Sequence, residues 1–325
     1  MTGSQLSDMP RSSTRTPVSK LLLARKRIGP LSSRLVKPQT LTGYVNACKW
    51  FFTLIHGWQI ILGNEFWELD ATISETIEFA WETGEGRNLI GNLLSGLEHH
   101  CTFLKGNLKQ SWRLWRVWGK YSAPCRAPPF TVETVMAIAY YMWSWGFKEA
   151  AVLTCLGFSC FLRSMEFIRL QGQQLSFAPG GRRCYISLPR TKGTSRSGGV
   201  GGVTADDPVL VRLLQSITAG KMPGDSVMAL TPKHYRIVFK AAVQAVGLPH
   251  TFQPYSLRRG GATWHFRLHG NIGVAMEIGR WTNMSICRTY VNTALMELTE
   301  ITTLSTPKVL QACVHFSAIL ARHAE

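Results

Sequence analysis

The sequence predicts a mainly α-helical protein in two domains, with a short β element in the second. Three observations predict it. Apolar residues recur at helical spacing from Pro38 to about Tyr121, and again after Thr131. A proline-rich break, Ser122-Ala-Pro-Cys-Arg-Ala-Pro-Pro129, separates the two runs as an interdomain linker would. Within the second run, Cys184-Tyr-Ile-Ser-Leu188 alternates as a strand does. The length of 325 residues agrees, at about 100–200 residues per domain.

Composition narrows the function. Lysine and arginine total 36 against 19 acidic residues, a net charge of +17. Charged residues are only 17%, below the roughly 25% of an average domain, so the chain is poor in acid and not simply rich in charge. A polyanionic partner is expected, nucleic acid first. Hydrophobic residues at 45% suffice for a core and exclude wholesale disorder. The eight cysteines form no C-x-x-C pair and no zinc-site spacing, which predicts a reducing compartment. No secretory h-region opens the chain. The longest apolar stretch, Val135–Phe147, is interrupted by Lys148 and Glu149, so it reads as core and not as a membrane span. No Walker loop, dinucleotide fingerprint or nucleophile elbow is present, so no cofactor and no metal are expected.

The elements follow in order. Residues 1–37 carry eight basic residues and one acid, and are rich in Ser, Thr and Pro. They read as a flexible basic arm, with Arg25-Lys26-Arg27 as its densest run. The domain at 38–122 opens with a helix over Thr40–Trp58, capped by Thr40, and breaks near Asn64-Glu65 and at Thr83–Gly86. The stretch 101–126 has six basic residues and no acid. Lys105, Lys109, Arg113, Arg116 and Lys120 recur every three or four positions, which puts them on one helix face. Leu104, Leu108, Trp112, Trp115 and Trp118 form an apolar stripe beside them. Such a helix suits a phosphate backbone. After the linker at 123–130, the domain at 131–325 begins with a helix capped by Thr131. A second helix starts at Phe147, and the strand is followed by a Gly/Ser/Lys/Arg loop over Thr191–Gly202. Asp206-Asp207-Pro208 starts another helix, and Pro307–Arg322 has helical period.

Four sites in the second domain carry chemistry. They are Phe161-Leu-Arg-Ser-Met-Glu166, Lys192 in the glycine-rich loop, Pro254-Tyr-Ser-Leu-Arg258 followed by Arg-Gly-Gly-Ala-Thr-Trp, and Gly279-Arg-Trp-Thr-Asn283 with Tyr290 nine residues after Trp281. In this order they resemble the tyrosine recombinase (phage-type integrase) superfamily: an arginine box, a hairpin lysine, a His-x-x-Arg box, a Gly-x-His or Gly-x-Trp element and a tyrosine nucleophile. The run "RRGGATW" followed by "GRW" looks most like the DIRS and Crypton recombinases of eukaryotic mobile elements.

The resemblance implies a helical core-binding domain and a mixed α+β catalytic domain with a small antiparallel sheet. It implies site-specific DNA recombination or integration through a 3′-phosphotyrosyl intermediate. Arg163 and Arg258 would clamp the phosphate with charge-assisted bonds, Glu166 would orient an arginine, and Lys192 would be the general acid. Trp281 would donate its indole N–H and Tyr290 would attack phosphorus. The partner would be double-stranded DNA held by a homotetramer, with no membrane and no small-molecule cofactor. The location would be nuclear in a eukaryote and cytoplasmic otherwise.

One position departs from the pattern: Tyr255 stands where the family has histidine. A phenol can donate a hydrogen bond but is neither a base nor a cation near neutral pH. Either nearby His250 takes the role or the role is lost. A DNA-binding protein without catalysis, derived from such a recombinase, is therefore the competing reading. A type IB topoisomerase is the third.

Overall fold

The computed structural model describes Lys26, Pro30 and residues 35–122, 127–188, 201–304 and 306–323. Most of the basic arm, part of the linker and all of 189–200, including Lys192, lie outside the described residues. The chain divides into two compact units, Met1–Pro124 and Cys125–Glu325. No described helix is long and apolar enough to cross a membrane.

The first unit is a helical bundle of α1 (Pro38–Gly57), α2 (Phe66–Glu82), α3 (Arg87–His100) and α4 (Lys109–Tyr121). The helix predicted to start at Thr40 starts at Pro38, because proline at the first position presets the helical φ and loses no needed N–H. Lys37 precedes it without a side-chain cap. Its core stripe is Ala47, Phe51 and Ile55, four residues apart, packed on Ile73 and Ile77 of α2 and on Ile90, Leu93 and Leu97 of α3.

The basic stretch is not one helix. A short 3₁₀ turn at Thr102–Leu104 is followed by Gly106 at φ +84°, and Asn107 Nδ2 bonds the Phe103 carbonyl across the turn at 2.7 Å. That conformation belongs to glycine and ends the helical run. Lys105 therefore lies ahead of the helix that carries Lys109, Arg113, Arg116 and Lys120. The residue before α4, Leu108, cannot cap it. Asp70 of α2 does so instead, accepting from Gln110 N (2.9 Å) and Ser111 N (3.0 Å).

The second unit starts with α5 (Val132–Ser144), whose cap Thr131 accepts from Thr134 N, and α6 (Lys148–Ser159). After the short α7 (Ser164–Ile168) comes an antiparallel sheet of β1 (Leu175–Phe177), β2 (Cys184–Leu188) and β3 (Gly201–Ala205), in that spatial order. Leu175 pairs with Ile186, and Cys184 with Ala205. Cys184, Ile186 and Leu188 face the core. Gly201 and Gly202, expected in the loop, belong to β3: with no side chain, Gly202 leaves room for the Tyr185 ring across the strand pair.

Then follow α8 (Pro208–Thr218), capped by Asp207, α9 (Pro232–Ala245), α10 (Pro254–His269), α11 (Ile272–Gly279), α12 (Met284–Arg288), α13 (Thr293–Leu304) and α14 (Pro307–Arg322). The last helix lies on α5 of its own chain and gives Val309, Ala312 and Phe316 to the core.

Candidate active site

The site forms around α10, and two adjacent glycines set how that helix lies. A Cβ on Gly260 would stand 2.3 Å from the Phe130 carbonyl oxygen, and one on Gly261 2.0 Å from that of Phe158. The helix therefore packs backbone to backbone against the end of α6. With this rotation fixed, Tyr255, Arg258 and Arg259, at i, i+3 and i+4, share one face.

Arg258 is fully buried. Its Nη1 donates to the Phe161 carbonyl and its Nη2 to the Gly279 carbonyl at 2.6 Å. Its guanidinium carbon lies 4.7 Å from the Trp281 ring centre and 5.3 Å from that of Tyr290, in cation–π range. Burial, then the charges of Arg163 and Arg280, lower its pKa to about 10.

Glu166 bridges two other arginines. Arg163 Nη1 donates to Oε1 at 2.7 Å, and Arg280 Nη2 to Oε2 at 2.8 Å. The backbone N–H of Arg163 also bonds Oε2 at 2.8 Å, a capping contact that starts α7. Arg163 remains 43% exposed, so its remaining donors are accessible. Two guanidiniums thus share one carboxylate.

Two backbone positions make this possible. Phe161 has φ +47° and Arg280 φ +56°, a region that non-glycine residues seldom occupy. Phe161 turns its carbonyl to Arg258. Arg280, capping α11, turns its side chain to Glu166.

Tyr290 lies in the turn between α12 and α13 and not on a helix. It packs on Trp281 with ring centres 4.5 Å apart. Tyr255 donates its hydroxyl to the Tyr290 oxygen at 2.6 Å. Burial alone would raise the Tyr290 pKa. The Tyr255 hydrogen bond and the Arg258 charge outweigh it, and Tyr290 is held below the ordinary tyrosine value. The Tyr255 hydroxyl, which donates, is pushed up to about 12, first by partial desolvation and then by that bond.

Buried donors that make no hydrogen bond include Arg258 Nε, Arg280 Nη1 and Trp281 Nε1. Buried donors are normally satisfied, so the orphans on Arg258 and Trp281, whose side chains pack against the Tyr290 ring, mark a place for acceptor oxygens.

The structure thus brings Arg163, Glu166, Tyr255, Arg258, Trp281 and Tyr290 into one unit. Lys192 lies outside the described residues. Lys105, Lys109, Arg113, Arg116 and Lys120 are exposed on the first unit. Sequence reasoning missed Arg280 and Arg259. The signal for Arg280 was its place beside Trp281, and for Arg259 its spacing of four from Tyr255. His265 and His269, with ring centres 4.3 Å apart, acquire no third ligand: no metal-binding group of three occurs among the described residues.

The chain has the tyrosine recombinase fold. It is similar to a lambda integrase dimer bound to a core site, at 13% identity and a TM-score of 0.57, over 87% of this chain and 83% of that one. It is likewise similar to a lambda integrase tetramer bound to a Holliday junction, at 13% identity and 0.55, over 86% and 79%. A Tn1549 transposon integrase in complex with transposon right end DNA gives 15% and 0.54, over 82% and 95%. No family model and no curated protein sequence matches the chain.

Proposed function

We propose that this chain is a site-specific DNA recombinase or integrase that cuts and rejoins DNA through Tyr290. The observation that carries the reading is the pair of unsatisfied N–H donors, Arg258 Nε and Trp281 Nε1, on side chains packed against a tyrosine whose pKa is held down. A phosphodiester under attack gains negative charge on its non-bridging oxygens, and preorganised donors are worth most where that charge develops.

In the proposed step the Tyr290 oxygen attacks phosphorus and gives its proton to solvent water. A P–O bond to tyrosine forms and the P–O5′ bond breaks. The departing 5′ oxygen takes a proton, for which Lys192 is the candidate donor. Arg163, oriented by Glu166, and the Trp281 N–H meet the phosphate oxygens. Arg258 acts from beneath the Tyr290 ring as fixed positive charge. The phosphotyrosyl ester conserves the energy of the broken bond, so the reverse attack by a 5′ hydroxyl rejoins DNA.

The run Arg258–Trp264 with Gly279–Trp281 supports placing the chain with the recombinases of mobile elements of the DIRS and Crypton kinds. It would act there as a homotetramer on double-stranded DNA, with the basic face of α4 as a phosphate-tracking surface. A nicked suicide substrate tests the reading. Wild type is expected to form a covalent protein–DNA adduct and Tyr290→Phe none. Tight binding of DNA without any wild-type adduct would leave the non-catalytic reading standing.

A further inference from the structure

The acids of this basic chain are unevenly spread: seven of its 19 stand between Glu65 and Glu85. On α2, Glu75, Glu78 and Glu82 recur at three and four positions, are exposed, and make no ion pair among the described residues. Like charges so spaced on a helix repel. Beside them a groove of about 310 Å³ runs between α2 and α4. Ile77, Leu114 and Trp118 form its floor, and Trp81 (45% exposed) and Tyr121 (78% exposed) its rim. Glu78 is its one charged lining residue. The two helices run parallel here, since Asp70 caps the start of α4 while the Trp81 and Trp118 rings meet edge to face at 5.3 Å near both far ends. Two helix C-termini, each the negative end of its dipole, therefore flank the groove. The last turn of α2 holds no basic residue to offset them and ends on Glu82. The basic stripe of α4 lies, by helical spacing, on the side opposite Leu114 and Trp118.

We propose that this groove is the docking site of the chain's own basic arm, through Lys20-Leu-Leu-Leu-Ala-Arg-Lys-Arg-Ile28. That segment joins the longest apolar run of the arm to its densest run of cations, and so matches an apolar groove walled by unpaired carboxylates. The leucines supply non-directional burial, and Arg25, Lys26 and Arg27 fix the orientation. Lys26 is exposed and makes no ion pair among the described residues, so its charge is open to a carboxylate. The reach is sufficient. The twenty residues of α1 span about 30 Å, and Trp58 at its far end packs on Phe79 of α2 at 4.9 Å, within a turn of Trp81. Residues 28–37 extend to about 35 Å. Arm and groove belong to the same unit, Met1–Pro124. While docked, the arm spends its cations on the α2 carboxylates, and a polyanion has to draw it off before the arm can bind it.

Photo-crosslinking in the full chain tests this. With p-benzoylphenylalanine in place of Ala24, irradiation is expected to label residues 77–82 or 114–121, as read by mass spectrometry of the digest. Combining Glu78→Gln with Glu82→Gln, both exposed and unpaired, should cut the yield about fivefold, the worth of two surface ion pairs, without lowering the melting temperature. Combining Leu21→Asp with Leu22→Asp should abolish the labelling, and so should heparin, a polyanion without base sequence. Mixing isotopically heavy and light chains identifies whose arm is bound. Cross-links within one chain support the proposal, whereas cross-links only between heavy and light chains give the groove to a second copy and overturn it. Labelling elsewhere, or none, leaves the groove to a foreign basic peptide and also overturns it. So does a yield that neither pair of substitutions changes, or one that heparin leaves intact.

Discussion

Two helices of this chain are rich in arginine and flanked by tryptophan, and they use those residues in opposite ways. On α4, Arg113 and Arg116 are exposed, while both half-buried tryptophans are satisfied: Trp112 Nε1 bonds Glu98 at 2.7 Å and Trp115 Nε1 bonds the Arg87 carbonyl at 3.2 Å. Around α10, Arg258 and Arg259 are buried, and the Trp281 N–H has no partner. The same residue types build a solvated basic face in one place and a desolvated cluster with orphaned donors in the other. The lesson is that charge predicts a partner, whereas unsatisfied buried donors predict a reaction.

The largest expected effect tests that contrast. Trp281→Phe keeps an aromatic ring against Phe161 and Tyr290 but removes the orphan N–H. Adduct formation should slow about 100-fold, as for loss of one preorganised donor, with little change in melting temperature. Trp115→Phe should do the reverse. It loses a made hydrogen bond, costs about 1 kcal/mol of stability, and leaves the adduct rate at saturating DNA unchanged. Equal rate effects from both would erase the distinction between the two helices.

Next in size is the anchor of α4. Asp70→Ala removes a carboxylate that accepts from two N–H groups of the first turn and from the Ser111 hydroxyl at 2.5 Å. A loss of about 2–3 kcal/mol is expected in chemical denaturation. The adduct chemistry of the second unit should survive wherever DNA is still bound.

Smaller again is the phenol pair. Tyr290 is held low partly by the bond from Tyr255, so the adduct rate should rise with pH through a value below that of free tyrosine. Tyr255→Phe removes the donor, the Tyr290 pKa rises, and the rate profile moves to higher pH. At neutral pH the rate should fall about tenfold, the equivalent of one modest hydrogen bond. The raised Tyr255 pKa has the opposite sign for stability. Its contribution is complete below the ordinary tyrosine pKa and is lost as pH climbs toward about 12. A Tyr255→Phe profile superimposable on wild type would show that the hydroxyl pair has no part in activation.

Much of this was legible before the fold. Period and caps gave α14 at Pro307–Arg322, β2 at Cys184–Leu188 and the Thr131 and Asp207 caps, because each depends on residues a few positions apart. The ordered boxes marked most of the side chains that meet at Tyr290. What escaped depends on backbone or distant partners. The helix break ahead of α4 follows from Gly106 at positive φ, and the cap of α4 comes from Asp70, forty residues earlier. The Arg280–Glu166 pair spans 114 positions and needs Arg280 in a left-handed conformation. The C-terminal helix fills its own core with Phe316. Truncation at Thr306 should therefore destabilise the second unit.

The smallest effects belong to the solvated face, and they complete the contrast. Lys109, Arg113, Arg116 and Lys120 are exposed and lie within one face of α4, so each should act as an independent phosphate neutraliser. Replacing one by Gln should reduce the slope of log K against log salt by about 0.9, and replacing all four by about 3.6. Neither change should discriminate between DNA sequences, because backbone contacts position without reading bases. The adduct rate at saturating DNA should stay at its wild-type value, since none of these cations lies in the unit that holds Tyr290. Lys105, displaced from the helix by the turn at Gly106, sharpens the point. If the face and not mere charge tracks the backbone, Lys105→Gln should change the slope less than Arg113→Gln; equal slopes would reduce α4 to a diffuse positive field.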